Sequence, residues 1–340
     1  MSLPRSPWIA TSLPLLIEGK ELPAEKIHDA LSAMISGSVD EAEATAFLIA
    51  LRMKGETAGE IRAAVCFLRE KMVPLNHQQA NVLDTCGTGG DGSGTFNIST
   101  AVSLVVAASG CPVVKHGNRS VSSRSGSADV LKELGVPIDR GPEWAEQCLG
   151  RFHYAFCFAP QFHPVLAHVG PLRRKLGVRT IFNLLGPLLN PAAAEHQLLG
   201  VGKLELLDPI AGALAQLKTR LSFVVCSEDG LDEVSLSAPT HVRLVRGEAI
   251  EAKMWTYRDF GLDRVSLQEL HADGPIESAA MIQSILEGQD GASRQVVLAN
   301  AAAALVAAQR ANSLREGVRQ AAATLDAGLA LQLLNNLRQS

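Results

Sequence analysis

Residues 84–123 read DTCGTGGDGSGTFNISTAVSLVVAASGCPVVKHGNRSVSS, and the succession of residue types in this stretch decides the architecture. The apolar run NVLDTC leads into a loop with glycines at 87, 89, 90 and 92. A backbone stripped of side chains lets a bulky anion approach its N–H groups. ISTAVSLVVAASG has helix length and stops at Gly110, and PVVKHG is a second short apolar run. Strand, helix and strand in that order make a βαβ unit of a parallel sheet. Asn97, Ser99 and Thr100 open the helix, where unpaired N–H groups and the macrodipole favour negative charge. Lys115, His116, Asn118 and Arg119 follow the second run, beside hydroxyls at Ser120, Ser122 and Ser123. Two such turns, about thirty residues apart, describe a site for a ligand with more than one phosphate.

GTGGDG also satisfies the G-x-G-x-x-G spacing of a dinucleotide site. That site expects an acidic residue at the end of the second strand, for a ribose diol. Lys115 and His116 stand there instead and suit phosphate. A P-loop is excluded because no GK[ST] is present. A purely structural glycine turn does not require Asp91, Asn97, Ser99 and Lys115 together.

Working outward, the residues before Pro74 read as three helices with no strand between them. AEKIHDALSAMIS carries Ile27, Leu31 and Met34 at helical spacing, and Ser38 with Glu41 and Thr57 with Glu60 match the capping-box pattern. After the βαβ unit, SADVLKELG is a helix closed by Gly135. YAFCFAP and LSFVVCSEDG are strands, HVRLVRGEAIEAKMW alternates like a hairpin, and helices return from about residue 276. Ser313 and Glu316 cap the last long helix. Residues 160–191, PQFHPVLAHVGPLRRKLGVRTIFNLLGPLLNP, form a proline-bounded excursion longer than a connection requires.

Asp232 and Glu233 follow a strand and Gly230, which puts adjacent carboxylates where ligands of a parallel sheet bind. Alone, such a pair is ordinary solvated surface. Opposite a polyphosphate it offers the hard oxygen ligands that Mg²⁺ prefers. In the excursion, Arg173, Arg174, Lys175 and Arg179 cluster near His163 and His168. A basic run is commonly a solvated helix face, but an arginine there can fork onto a carboxylate.

The chain has 340 residues, 47% hydrophobic and 19% charged, enough for two domains of an ordinary globular protein. Its net charge of −4 argues against a nucleic-acid-coating protein and leaves metal ions to balance an anionic ligand. The N-terminal residues lack the apolar core of a signal peptide, and VVLANAAAALVAA is too short to span a bilayer, so a cytoplasmic location is expected. Six cysteines show neither a CxxC pair nor zinc-ligand spacing and read as buried free thiols. Cys86 adjoins the glycine loop, but no base at a recognisable spacing would activate it.

Four motifs in order, GTGGDG–TFNIST, KHGNRSVSSRSGSADVL, LGVRTIFNLLGPLLNP and DGLDE, resemble those of the anthranilate phosphoribosyltransferase family of tryptophan biosynthesis. The resemblance runs from about residue 10 to 335. It implies an α/β fold: a small all-helical N-terminal domain, 1–75, completed by the 160–191 excursion, and a larger α/β domain, 76–340, with a mostly parallel central sheet flanked by helices. It implies a homodimer, and transfer of the 5-phosphoribosyl group from 5-phosphoribosyl 1-diphosphate (PRPP) to anthranilate. PRPP falls to Gly87, Gly90, Asp91, Thr95, Asn97, Ile98, Ser99, Thr100, Lys115, His116, Gly117, Asn118, Arg119, Ser120, Val121, Ser122, Ser123 and Ser127. Anthranilate falls to Gly87, Asn118 and Arg173, with His116 and His163 bordering its channel. Mg²⁺, two ions per site, falls to Ser99, Asp232 and Glu233, and catalysis is electrostatic, through Lys115 and His116, with no covalent or general-base residue. A pyrimidine nucleoside phosphorylase on the same architecture would begin its loop KxSTGG-like, where this chain has DTCGTGG. A non-catalytic relative that binds nucleic acid would have a basic surface and would lack Asp232, Glu233 and Arg173.

Overall fold

The computed structural model describes residues 6–37, 39–120 and 125–340. Among the described residues four helices, not three, precede the first strand: α1 (Pro7–Ile17), α2 (Ala24–Ile35), α3 (Glu41–Lys54) and α4 (Ala58–Arg69). The prolines that obscure α1 in the sequence are accommodated in it. Pro7 occupies the first turn, where its missing N–H costs nothing, and Pro14 lies inside. Thr57 and Glu60 do form a reciprocal capping box on α4, at 3.1 and 2.9 Å. On α3 the cap is Asp40, which accepts from the N–H groups of Ala42 and Glu43, while Ser38 lies outside the described residues.

Seven strands follow among the described residues: β1 (Leu83–Gly87), β2 (Val113–Gly117), β3 (Tyr154–Phe158), β4 (His196–Gly200), β5 (Leu221–Ser227), β6 (Thr240–Arg246) and β7 (Ala249–Trp255). They form one sheet in the order β3-β2-β1-β4-β5-β6-β7. The first five in that order are parallel, and β6 and β7 add the expected hairpin antiparallel to β5. Between β1 and β2 runs α5 (Ile98–Ala108), completing the βαβ unit. Strand β4 is absent from the sequence reading, because two of its five residues are the buried polar His196 and Gln197. The helices Pro142–Phe152 and Leu207–Gln216 are absent from it too.

Side chains alternate across the sheet with period two and feed two cores. Phe223 and Val225 of β5 join α5 and the C-terminal helices on one face. Val224 and Cys226 turn to the other, where they meet α2, α3, α4, the helix Leu207–Gln216, and Val169, Leu172, Ile181, Phe182 and Leu184 of the excursion. The excursion therefore packs in the same apolar cluster as the N-terminal helices. Among the described residues no helix is long and apolar enough to cross a membrane.

The strand order reverses between β1 and β4: β2 and β3 lie to one side of β1, and β4 and β5 to the other. At the carboxyl ends of such strands the connecting chains diverge to opposite sides and leave a crevice. In register there stand Gly87 and Gly200, the last residues of β1 and β4.

Candidate active site

The crevice opens into a cleft of about 690 Å³. It is lined by the glycine loop, the end of β2, the excursion and the Asp232–Glu233 pair. The loop leaves β1 with Gly89 and Gly90 in the left-handed region, φ +62° and +68°, which only glycine adopts without strain. Its start is tied down by the N–H of Thr88 on Gly200 O at 2.9 Å, and its end by Phe96 N–H on Leu270 O at 2.9 Å. Asn97 caps α5: its Oδ1 accepts from the N–H of Thr100 at 3.2 Å and from the Thr100 hydroxyl at 2.5 Å. Thr100 is fully buried by these bonds and does not line the cleft. Ile98 reaches it from the core, its N–H already given to Phe96 O.

Lys115 points from β2 toward α5 and is almost wholly buried. Its Nζ donates to Thr85 O at 2.7 Å and to Ser99 Oγ at 2.9 Å. Burial pushes its pKa down, and the negative charge of Asp84 opposes that shift. Asp84 itself is fully buried, and burial raises it to about 6 against the opposing pull of Asn190 and Lys115. The same burial, with Asp84 alongside, pushes the Cys86 thiol well up, which removes it as a nucleophile. All six cysteines are free, and all but Cys66 are buried.

The chain after β2 turns back on itself. Asp129 Oδ2 accepts from the N–H of Ser120 at 2.9 Å and of Gly126 at 3.2 Å. Ser127 packs so close to Gly117 that a Cβ there would overlap its hydroxyl oxygen. Gly117, Asn118, Arg119, Ser120 and Ser127 all line the cleft. Val121, Ser122 and Ser123 lie outside the described residues.

Asp232 and Glu233 sit on the turn after β5. Within that turn Asp229 accepts from the hydroxyls of Ser235 and Ser237 at 2.6 and 2.9 Å. Fully buried Asn300 pairs with both backbone groups of Val234, at 2.9 Å each. Burial and the neighbouring Asp91 charge raise Asp232 to about 7, and burial with the adjacent Asp232 raises Glu233 as well. Carboxylates that resist ionisation for want of countercharge fit a divalent cation. Among the described residues no three His, Cys, Asp or Glu side chains converge as a ready cage. A cation here would complete its shell from water and ligand oxygens, as Mg²⁺ commonly does.

Across the cleft, the half-buried Arg173 lies over the Phe182 ring at 5.6 Å, with no acidic partner among the described residues. Desolvation pulls its pKa down, the sign of a cation lacking an anion. His116 and His163 lie with ring centroids 4.8 Å apart and their planes tilted by 59°. Burial holds both neutral, at about 3 and about 4. His116 Nδ1 meets Gly186 O at 3.2 Å, which assigns the proton to Nδ1 and leaves Nε2 as an unpartnered acceptor.

Glycine loop, Lys115 turn, acidic pair and Arg173 are thus brought to one cleft. The supports Asp129, Asp229, Ser278 and Asn300 escape the sequence reading; for Ser278 and Asn300 the reason is that their partners are distant backbone groups, Ser278 accepting from the N–H of Asn97 at 2.8 Å and Asn300 pairing with Val234.

Family profiles match the chain over both parts: "Glycosyl transferase family, helical bundle domain" over residues 13–72 and "Glycosyl transferase family, a/b domain" over 79–331. Anthranilate phosphoribosyltransferase of Thermomicrobium roseum is 47% identical, with 97% of this chain and 96% of that one aligned. The crystal structure of the Thermus thermophilus enzyme superposes with a TM-score of 0.89 at 40% identity, covering 96% and 98% of the two chains. The Saccharomyces cerevisiae enzyme in complex with PRPP and Mg has a TM-score of 0.89 at 27% identity, covering 97% of each. The fold, the cleft and these relatives agree, and the chain belongs to the anthranilate phosphoribosyltransferase family.

Proposed function

We propose that this chain transfers the 5-phosphoribosyl group of PRPP to the amine of anthranilate. The products are N-(5-phosphoribosyl)anthranilate and diphosphate, a step of tryptophan biosynthesis. The observation that carries the reading is Arg173: an unpaired guanidinium facing the cleft that also holds the glycine loop and the acidic pair. One end of that cleft suits a diphosphate and the other a carboxylate.

In this reading the glycine loop and Ser99, at the start of α5, receive the diphosphate. Asn118, Arg119, Ser120 and Ser127 hold the ribose phosphate. Ser99, Asp232 and Glu233 hold Mg²⁺, with two ions taken as the complement. When bound, the metal neutralises the charge that develops on the departing diphosphate. Lys115, its ammonium fixed on Thr85 O and Ser99 Oγ, adds a preorganised positive charge beside it. Arg173 forks onto the anthranilate carboxylate. The neutral Nε2 of His116 accepts a hydrogen bond from the amine and turns its lone pair toward the sugar. The C–N bond forms as the C–O bond to diphosphate breaks, and the amine proton leaves to water. The amine of anthranilate is uncharged at neutral pH, so the site needs no strong base, and orientation of the two substrates supplies much of the rate.

Residues 1–75 with 160–191 are taken as the helical domain and 76–340 as the α/β domain. A homodimer in the cytoplasm completes the proposal, and sedimentation tests the dimer. For the activity, PRPP, Mg²⁺ and anthranilate are mixed with the protein, and loss of anthranilate fluorescence is the expected result. No loss with anthranilate, but turnover of thymidine or uridine with phosphate, would make the chain a nucleoside phosphorylase instead. Replacing Asp232 and Glu233 together by Ala should abolish Mg²⁺-dependent turnover.

A further inference from the structure

The glycine loop is held from outside the sheet as well as from within it. Arg179 lies between Gly177, which turns the chain with φ +62°, and Thr180, which caps the helix Ile181–Leu185. Its backbone thus belongs to the excursion that packs with the N-terminal helices. Its guanidinium crosses the cleft to the glycine loop, where Nη2 donates to Thr88 O at 2.9 Å and Nη1 donates to Gly89 O.

In a trans peptide the C=O and N–H point opposite ways, and no peptide bond among the described residues is cis. A fork gripping the carbonyls of residues 88 and 89 therefore turns the N–H groups of Gly89 and Gly90 away from Arg179. The first of these meets Asp232 Oδ2 at 3.0 Å. The second has no acceptor among the described residues. The left-handed turn at φ +62° and +68° thus leaves the Gly90 N–H free for an anion, beside the Gly89 N–H that Asp232 holds.

We propose that Arg179 is a positioning residue for the diphosphate: reaching from the helical excursion, it fixes the glycine-loop peptides so that the free N–H of Gly90 is turned toward the anion. It touches no reacting atom and acts only through the loop. The proposal rests on the reading of that loop as the diphosphate cradle. It adds that the cradle is assembled across two parts of the chain, with the helical part supplying the grip.

The test is amide hydrogen exchange on the free protein, followed by kinetics. Arg179→Ala should speed exchange in residues 87–94 by about tenfold or more, while the strands of the sheet keep their protection. It should raise KM for PRPP about tenfold and leave the anthranilate dissociation constant within about twofold. Arg179→Lys keeps the charge but not the fork, so it should recover only part of the loop protection; it also serves if the Ala variant does not fold. Loop exchange unchanged from the parent in either variant overturns the proposal. So does weaker anthranilate binding with an undisturbed loop, which would put Arg179 in the acceptor half. Exchange is read without substrate, so a protein that consumes no anthranilate, yet loses loop protection in Arg179→Ala, sinks the transferase reading while leaving the grip intact.

Discussion

The main-chain N–H of Gly89 donates to Oδ2 of Asp232 at 3.0 Å, joining the glycine loop after β1 directly to the acidic turn after β5. Strand β4 lies between those two strands, so the acidic turn must cross over its end. The crossing is possible because β4 ends in Gly200. A Cβ built there would collide with the carbonyl oxygen of Asp232.

Gly200→Ala should therefore lift the acidic turn rather than merely crowd it. Overpacking of this kind costs about 1–3 kcal/mol. The displacement falls on Asp232, so the Mg²⁺ concentration for half-maximal turnover should rise by about tenfold or more. Metal titration of activity checks this, and an unaltered Mg²⁺ requirement would remove the acidic turn from the metal site.

The same turn depends on Asn300, whose amide supplies the donor and acceptor that Val234 lacks from any strand. Asn300→Ala leaves a buried N–H and C=O unpaired, at about 1–3 kcal/mol for each. Urea unfolding should show a lower midpoint at unchanged m. Activity at saturating Mg²⁺ should fall much less than activity at low Mg²⁺, because the turn is loosened and its ligands remain.

These supports explain what the sequence discloses and what it hides. Residues 84–119 carry their meaning locally: glycines, cap and lysine are neighbours in the chain, so strand, loop, helix and anion-binding turn can be read directly. Strand β4 cannot be read so, because Gln197 is satisfied by Pro187 O at 2.7 Å, a partner outside its own strand. Arg179 reads as one member of a solvated basic run. Only the packing of the excursion brings its fork to Thr88 and Gly89, 91 and 90 residues away. The first helix is hidden for the opposite reason: two prolines outweigh a good apolar face that buries Ile9 and Leu16.

Arg173→Ala should weaken anthranilate and spare PRPP. A charge-assisted bond of this kind is worth about 1.5–3 kcal/mol, or about 10- to 100-fold in the anthranilate dissociation constant. Arg173→Lys keeps the charge without the fork and should fall in between. Fluorescence titration with anthranilate, in parallel with KM for PRPP, separates the two halves of the cleft. Equal loss of both substrates would contradict the assignment.

Acid should destabilise the fold through the paired histidines His116 and His163. An imidazole of ordinary pKa 6.5 is held at about 4 in His163, chiefly by burial, and at about 3 in His116, by burial and then by the charge of His163. A depressed folded-state pKa means that the unfolded chain binds the proton first. Stability from this source is thus fully present above pH 6.5 and drains away as pH falls toward 4. For His163, only 4% exposed, the loss reaches about 2 kcal/mol by pH 5. His163→Asn removes that titration. Its unfolding free energy at pH 7 should lie below the parent's, and the gap should narrow by about 2 kcal/mol between pH 7 and pH 5. Denaturant melts at the two pH values decide it: a gap of constant size would mean that folding leaves the His163 pKa at its ordinary value, and burial would then not be what keeps the pair neutral beside the amine of anthranilate.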